Sequence, residues 1–194
     1  MQKLDSAEGA TPLDEDETEG LIPSHISLQE QLNEWEAANI LKATGLIRGA
    51  RESRVLTEPF VRELHRKMFG DTWTWAGKYR RTDKNIGIHW PGIQDAVTQM
   101  CHNAIAWRGQ KLFSPVEAAV RLHHRLVAIH PFPNGNGRHA RLYADTLLRS
   151  AGRPVLAWGK LERNDATARK QYLSALRLAD NGDFAALIRF CGAA

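Results

Sequence analysis

The residue types best suited to chemistry in this chain lie together between positions 130 and 141, which read HPFPNGNGRHAR. Asn136 stands between two glycines, and a Gly-Asn-Gly turn that opens a helix presents backbone N–H groups to an anion. Arg138 and Arg141 are three residues apart, which places both guanidinium groups on one face of that helix. Each can make charge-assisted hydrogen bonds to phosphate oxygens, of roughly 1.5–3 kcal/mol apiece before desolvation. This segment, called the anion loop below, is predicted to hold a polyphosphate.

His130 begins the anion loop. Imidazole titrates near neutral pH, so a histidine is the side chain best suited to take a proton from a reacting hydroxyl. A zinc hydrolase is the weaker interpretation, because the histidines near the loop form no His-Glu-x-x-His pattern and no carboxylates cluster with them. The loop therefore favours a general base beside a bound polyphosphate.

Length and composition are those of one globular domain of 194 residues, with 43% hydrophobic residues to form a core. No apolar run approaches the ~20 residues of a membrane span. The N-terminus has neither the basic start nor the apolar segment of a secretory signal. The two cysteines, Cys101 and Cys191, are far apart and form no disulfide or metal pattern. We therefore expect a cytoplasmic protein with no membrane segment.

The charges divide the chain into two parts. Residues 1–36 carry ten acidic residues and one basic residue, whereas the remainder carries 25 basic and 12 acidic residues. A body this basic favours phosphate-bearing ligands, either a nucleotide or a nucleic acid. Nucleic acid is the less favoured partner, since the basic residues match no recognition motif and are not interleaved with aromatics. Residues 1–24 hold too few apolar groups to be buried, so we predict an acidic, flexible tail before a domain at 25–194.

Helical signals dominate the rest of the chain. Apolar residues at helical spacing, with Ser and Pro at starts and Gly at stops, predict helices after a capping box at 27–30, over 58–69, 93–108 and 115–129, from the anion loop to about 152, and over 162–179 and 183–190. Residues 71–92, the flap segment, instead alternate aromatic and isoleucine side chains loosely with polar ones between glycines. That pattern predicts a short β-hairpin. The expected fold class is all-α with one small hairpin.

The anion loop resembles the signature of the Fic (Fido) family, His-x-Phe-x-(Asp/Glu)-Gly-Asn-Gly-Arg-x-x-Arg. Seven of its eight defined positions match, namely His130, Phe132, Gly135, Asn136, Gly137, Arg138 and Arg141. The exception is Asn134, where the family usually has an acid. The flap segment, with WAGKYR followed by NIG, is also similar to the family's flap, and the resemblance covers about residues 45–190. It implies a Fic-type helical bundle whose active loop joins two central helices.

This resemblance implies a protein adenylyltransferase that moves AMP from ATP to a hydroxyl of a protein target. It assigns the base to His130. It assigns the triphosphate to Gly135, Asn136, Gly137, Arg138 and Arg141. It implies that a target segment pairs with the flap, for which we choose positions Ile86, Gly87, Ile88, His89 and Trp90. Such a reaction needs positioning and charge neutralisation more than covalent chemistry from the protein.

Asn134 bears on the metal that the resemblance implies. The acid usually found there is expected to bind Mg²⁺, a hard cation that prefers carboxylate oxygens, whereas an amide oxygen coordinates without charge. We therefore expect Mg²⁺ to be held weakly by the protein, mainly through ATP. Three outcomes remain open: slower AMP transfer, which we favour; a changed reaction such as phosphotransfer of the Doc type; and nucleotide binding without transfer.

The residues HPFPNGNGRH also resemble a Fic subgroup called mobile mystery protein B. Members of that subgroup are associated with mobile genetic elements and with a small helix-turn-helix partner. The resemblance implies a toxin–antitoxin-like role.

Many Fic proteins are restrained by a helix with the motif Ser/Thr-x-x-x-Glu-Gly/Asn, whose glutamate pairs with the second signature arginine. The nearest segment here, residues 32–37, keeps the glutamate but neither flanking residue. We hypothesise that Glu36 is inhibitory and meets Arg141.

Overall fold

The computed structural model describes residues 14–26, 28–158, 161 and 165–192. In these residues the regular structure is helical: α1 Glu15–Thr18, α2 Gln29–Leu46, α3 Glu52–Val55, α4 Glu58–Phe69, α5 Ile93–Gln110, α6 Pro115–Ile129, α7 Asn136–Ser150, α8 Ala166–Asp180 and α9 Ala185–Phe190. One isolated antiparallel bridge joins Leu21 to Trp73. The predicted all-α class is confirmed. The first half of the predicted tail, residues 1–13, lies outside the described residues.

Side-chain caps begin three of these helices. Ser114 Oγ accepts a hydrogen bond from Glu117 N at 3.1 Å, and Pro115 follows it in the first turn of α6. The other two caps are Thr57 before α4 and Asp165 before α8. Each cap satisfies a backbone N–H that the helix itself leaves without a partner, which stabilises a helix by about 1 kcal/mol. The predicted starts of α4 and α6 are therefore confirmed.

The helices α6 and α7 lie at the centre and are joined by the anion loop. The helix α6 buries Leu122 and Leu126, and α7 buries almost every residue from 139 to 148. Fully burying a leucine stabilises the fold by roughly 1.5–3 kcal/mol. Since both helices are fixed in the core, both ends of the anion loop are held in place.

The β-hairpin predicted for the flap segment is not formed. Its residues, 71–92, make turns and bends and a short 3₁₀ helix at Trp90–Gly92. The guanidinium of Arg80 donates hydrogen bonds to the carbonyls of Thr82 and Ile88. In a β-hairpin these carbonyls would be available to accept from backbone N–H groups of the paired strand. The chain between those carbonyls therefore turns around a buried charge rather than pairing with itself.

Residues 14–26, called the N-terminal strap, lie against the flap segment. The ammonium of Lys84 pairs with Asp14 at 2.7 Å and with Glu17 at 2.6 Å, and the Lys84 side chain is only 3% exposed. The indole of Trp75 donates to the carbonyl of Glu17 at 2.8 Å. The acidic end of the chain thus contacts the basic body from residue 14 onward, while the boundary of the tail stays a prediction.

Two further observations concern the cysteines and the helices. Cys101 and Cys191 are both buried and form no disulfide. Among the helices that the structure describes, none is both long and apolar enough to cross a membrane.

Candidate active site

His130 ends α6 in a left-handed backbone conformation, with φ +54° and ψ +60°. Its backbone N–H still donates to Leu126 O at 3.0 Å, so the residue closes the helix and turns the chain into the anion loop. This conformation costs a residue other than glycine roughly 1–2 kcal/mol, and surrounding contacts must therefore hold it. The residue is only 7% exposed.

The environment of His130 keeps its imidazole neutral. Burial, together with the positive charges of Arg80 and Lys84, lowers the pKa of His130 from 6.5 to about 4, against a hydrogen bond with the Val127 backbone that raises it. At pH 7 the ring therefore carries no charge, and only the neutral form can accept a proton. The structure thus places a group in the protonation state that the predicted base requires.

The predicted anion cradle is the N-terminus of α7. Gly135 precedes the helix with φ +76°, and the first intrahelical bond runs from His139 N to Gly135 O at 2.8 Å. The N–H groups of Asn136, Gly137 and Arg138 therefore point out of the helix end, because a helix has no internal acceptors for its first turn. Together with the helix dipole they favour an anion at this place.

The side chain of Asn136 closes the loop instead of facing a ligand. Its Oδ1 accepts from Phe132 N at 2.9 Å, and its Nδ2 donates to Phe132 O at 2.8 Å. Asn136 is 3% exposed and Phe132 is fully buried. The family resemblance implies that Asn136 holds phosphate oxygens. In this geometry only its backbone N–H is directed to that task, since its amide is used within the loop.

His65 of α4 joins the anion loop to the flap segment. Its Nδ1 accepts from Gly77 N at 3.0 Å, so its Nε2 carries the proton and donates to Asn134 O at 3.0 Å. The ring also stacks on Phe132 with centroids 3.7 Å apart. Burial lowers the pKa of His65 well below its ordinary value, which keeps this arrangement of donor and acceptor intact. Sequence reasoning missed His65, because no motif marks a histidine within an amphipathic helix.

Arg138 is held by the N-terminal helix α2. Its Nη1 lies 2.6 Å from Glu36 Oε2, and its guanidinium lies 5.0 Å from the ring centre of Phe69. The second oxygen of Glu36 accepts from the indole of Trp73 at 2.7 Å. The Glu36 side chain is 5% exposed, whereas that of Arg138 is 33% exposed. An acid buried in this way interacts with the arginine with little screening by water.

Arg141 lies on the side of α8. Its guanidinium makes a hydrogen bond with the hydroxyl of Tyr172, which also lies 2.9 Å from His123 Nε2. Burial raises the pKa of Tyr172 to about 12, and the charge and hydrogen bond of Arg141 act in the opposite direction. The ion pair of Glu36 was expected at Arg141, but the structure shows it at Arg138. The reason is that α2 packs on α4, so Glu36 reaches the first arginine beside Trp73.

The flap segment contacts His130 directly at Gly87. A Cβ added to Gly87 would lie 2.6 Å from His130 Cβ, and only glycine permits so close an approach at φ +101°. The next residue, Ile88, donates its N–H to Ile129 O at 3.3 Å. The structure therefore brings Gly87 against His130 and joins Ile88 to the residue before His130.

The other predicted flap positions lie at the surface beside them. Ile86 is 42% and Trp90 is 40% exposed. The Nδ1 atom of His89 lies 2.7 Å from a carboxylate oxygen of Asp83, and the other oxygen of Asp83 accepts from Trp90 N at 2.8 Å. Asp83 therefore closes the outer turn of the flap and leaves two apolar side chains available to a partner.

The predicted metal ligand, Asn134, makes hydrogen bonds within the anion loop and to His65. The Oδ1 atom of Asn134 accepts from Gly135 N, and Asn134 O accepts from His65. No group of three His, Cys, Asp or Glu residues that could hold a metal ion occurs in the described part of the chain. Mg²⁺ prefers carboxylate ligands, and the neutral amide oxygen of Asn134 is a weaker ligand for it.

Packing requires a glycine at position 135, so replacing it should lower the stability of the fold. A Cβ at Gly135 would lie 2.6 Å from two ring atoms of Phe69, whereas one at Gly152, also in the left-handed region at φ +67°, would meet nothing within 4 Å. We expect Gly152→Ala to lower the free energy of unfolding by about 1–2 kcal/mol through backbone strain alone. Gly135→Ala should cost about 3 kcal/mol or more, since the clash is added. Urea denaturation of both variants measures the difference, and equal losses would contradict the packing argument.

Comparison with known proteins agrees with this geometry. Residues 55–148 match the model of the Fic/DOC family. The chain is 30% identical over 180 residues to a protein adenylyltransferase Fic from Nematostella vectensis and 34% identical over 134 residues to one from Aedes aegypti. These alignments cover 90% and 67% of this chain, which spans 40% and 26% of the length of the two relatives.

The fold is also that of solved Fic structures. The crystal structure of BepC, a VirB-translocated effector protein from Bartonella tribocorum with bound AMPPNP, aligns with a TM-score of 0.67 at 17% identity. The alignment covers 91% of this chain and 96% of that one. With the family model, the identity to two relatives and the helical architecture in agreement, the chain belongs to the Fic/DOC family.

Proposed function

We propose that this protein transfers AMP from ATP to a hydroxyl group of a protein target. The observation that carries the proposal is the placement of neutral His130 at one end of the anion loop and of the α7 N-terminus with Arg138 at the other. Two relatives bear the name protein adenylyltransferase, and a neighbour in fold holds the ATP analogue AMPPNP. These support ATP as the substrate.

In the proposed reaction the target hydroxyl attacks the α-phosphorus of ATP. His130 takes the hydroxyl proton as the new O–P bond forms, and the bond to the bridging oxygen breaks, so that pyrophosphate leaves with the electron pair. The N–H groups at the start of α7, with Arg138 and Arg141, hold the phosphate oxygens and neutralise their charge. Mg²⁺ enters with ATP as part of the substrate, and no step depends on a metal bound by the protein.

The target is proposed to lie along the flap. An extended segment can lie along positions 86–90, where the side chains of Ile86 and Trp90 are exposed to contact it. Because Gly87 touches His130, a hydroxyl presented there would lie near the base.

Isotope position separates the alternatives. The protein is incubated with lysate proteins and ATP labelled at either the α- or the γ-phosphate, and the modified proteins are weighed as intact masses. Transfer of the α-label with a mass gain equal to AMP supports adenylylation. Transfer of the γ-label with a phosphate-sized gain supports a Doc-type phosphotransferase instead. If the wild type and Glu36→Gly both bind ATP but transfer neither label, the protein is a nucleotide-binding protein rather than a transferase.

Restoring an acid at position 134 should strengthen the use of Mg²⁺. We expect Asn134→Asp to lower the Mg²⁺ concentration needed for half-maximal transfer by roughly tenfold, because a carboxylate replaces a neutral oxygen. The measurement is the rate of transfer as Mg²⁺ is varied at fixed ATP. The matched control is Asn103→Asp on the exposed surface of α5, which adds the same charge away from the loop. An unchanged or higher requirement in Asn134→Asp would contradict this account of position 134.

Two narrower features belong to the proposal. The residues of the anion loop support membership of the mobile mystery protein B subgroup and a role beside a small helix-turn-helix partner. The buried thiols of Cys101 and Cys191 accord with action in the cytoplasm. Purification of the protein from its native host with the neighbouring gene product tests the partner, and a monomer that never binds it would contradict this part.

A further inference from the structure

Arg80 belongs to the flap segment. Its side chain is fully buried and lies against the start of the anion loop. Its Nε donates to His130 O at 2.7 Å and its Nη1 donates to Thr82 O at 2.8 Å. Its Nη2 donates to Ile88 O and, at 3.4 Å, to Ile129 O. A single guanidinium thus holds four carbonyls, two from the flap and two from the end of α6.

The backbone around Arg80 tightens the same junction. The N–H of Arg80 donates to Pro131 O at 3.0 Å, and Ile88 N donates to Ile129 O at 3.3 Å. A Cβ at Gly87 would lie 2.8 Å from Arg80 Nη2 as well as 2.6 Å from His130 Cβ. The flap, the guanidinium and the base are therefore packed in direct contact.

Carbonyl groups, rather than a buried carboxylate, satisfy this guanidinium. The carboxylate of Asp83 lies 3.6 Å away and is 54% exposed, and the charge of Glu17 in the N-terminal strap also acts on Arg80. The other charge facing His130 is Lys84, which is paired with the N-terminal strap. Burying a charge is costly unless hydrogen bonds satisfy it, so the four carbonyls must stay in place around Arg80 for the charge to remain there.

We propose that Arg80 is the positioning residue of this active site. It holds His130 in its left-handed backbone conformation and holds flap positions 87 and 88 against that residue, so that the base and the target segment are aligned by one side chain. The guanidinium suits this task because its planar fork directs several N–H groups to separate acceptors at once. The roles of base and target segment in this proposal rest on the proposed transferase function, whereas the junction that Arg80 makes between His130 and the flap does not.

The first test needs no activity. In the wild-type protein the Nε–H of Arg80 should give a resolved NMR signal whose exchange with water is at least roughly 100-fold slower than that of Arg81, its exposed neighbour. An Arg80 signal that exchanges as fast as that of Arg81 would overturn the proposal. This measurement decides even if variants at position 80 do not fold.

The second test titrates His130 by NMR in Arg80→Gln, Arg80→Lys and the control Arg81→Gln. Loss of the Arg80 charge should raise the pKa of His130 above about 4 but leave it below 6.5, since burial is the larger cause of the shift, and the amide signals of Gly87 and Ile88 should shift with it. Arg80→Lys keeps the charge, so the pKa should stay low while the flap signals still move. Arg81→Gln should change neither. Flap and His130 signals that are unchanged in Arg80→Gln would overturn the proposal.

The third test measures transfer of AMP at pH 7.5. Arg80→Lys and Arg80→Gln should lower the rate at saturating ATP by roughly 10- to 100-fold, because the base and the target are misaligned, with ATP affinity within about twofold of wild type. A loss of ATP affinity without a loss of rate would contradict a positioning role. If wild type transfers nothing, the proposed function fails, while the exchange and titration tests still decide the role of Arg80.

Discussion

Replacing His130 with alanine should lower the rate of AMP transfer by roughly 100- to 10,000-fold, which is the range for removal of a general base. ATP affinity should change by less than about twofold, since the imidazole contacts the target hydroxyl rather than the phosphates. Transfer is measured as labelled AMP incorporated into protein, and ATP affinity is measured by calorimetry. The control is His102→Ala, on the exposed surface of α5, which should match wild type in both.

The pH dependence of transfer follows from the same environment. The pKa of His130 is lowered to about 4, so the neutral form that accepts a proton persists well below pH 6.5. The rate should therefore stay level from about pH 8 to pH 5.5 and fall as the pH falls through about 4. A rate that already halves near pH 6.5 would show that the base is a histidine with an ordinary pKa, contrary to the burial seen here.

Replacing Glu36 with glycine should raise ATP affinity by about tenfold, or ~1.4 kcal/mol, and raise the rate of transfer at low ATP to a similar degree. Glu36 occupies Arg138 at 2.6 Å and is almost fully buried, so it competes with phosphate for that guanidinium. Its removal leaves Arg138 free to bind the nucleotide. The second Glu36 oxygen accepts from Trp73, and loss of that bond should lower the free energy of unfolding by roughly 1–3 kcal/mol.

The matched control for Glu36 is Glu34→Gly, two residues earlier on the exposed face of α2. It introduces the same helix-breaking residue, which costs about 1 kcal/mol of helix stability, without touching Arg138. Glu36→Gln separates charge from hydrogen bonding, because its amide oxygen can still accept from Trp73. If Glu36→Gly and Glu34→Gly give equal ATP affinity and equal rates, Glu36 is only a structural side chain.

Much of the fold follows from local patterns that act at short range. The helices predicted at 58–69 and 115–129 lie where the structure has them, because proline and cap residues mark their starts. The short helix at Glu52–Val55 was not expected, since four residues carry too little periodicity to be recognised. The flap was expected as a hairpin because its alternation of apolar and polar residues is the same whether or not strands pair.

The sequence by itself determined which residues capable of chemistry stand together in the anion loop. The order of histidine, glycines and arginines over twelve residues is local, and a helix start with such residues can hold a polyphosphate wherever it stands in the fold. It determined in the same way that the site lies between two long helices, since apolar periodicity flanks the loop on both sides.

Only the tertiary structure decided which groups act on that loop. Arg80 and Arg81 are the same residue type at adjacent positions, and only the packing shows that one is buried against four carbonyls while the other is exposed. Likewise Glu36 lies 102 positions before Arg138, and only the packing of α2 on α4 brings the two together. Contacts over such separations depend on the geometry of the whole chain, because burial and distance, which set each charge's partner and each pKa, do not exist until the helices have packed.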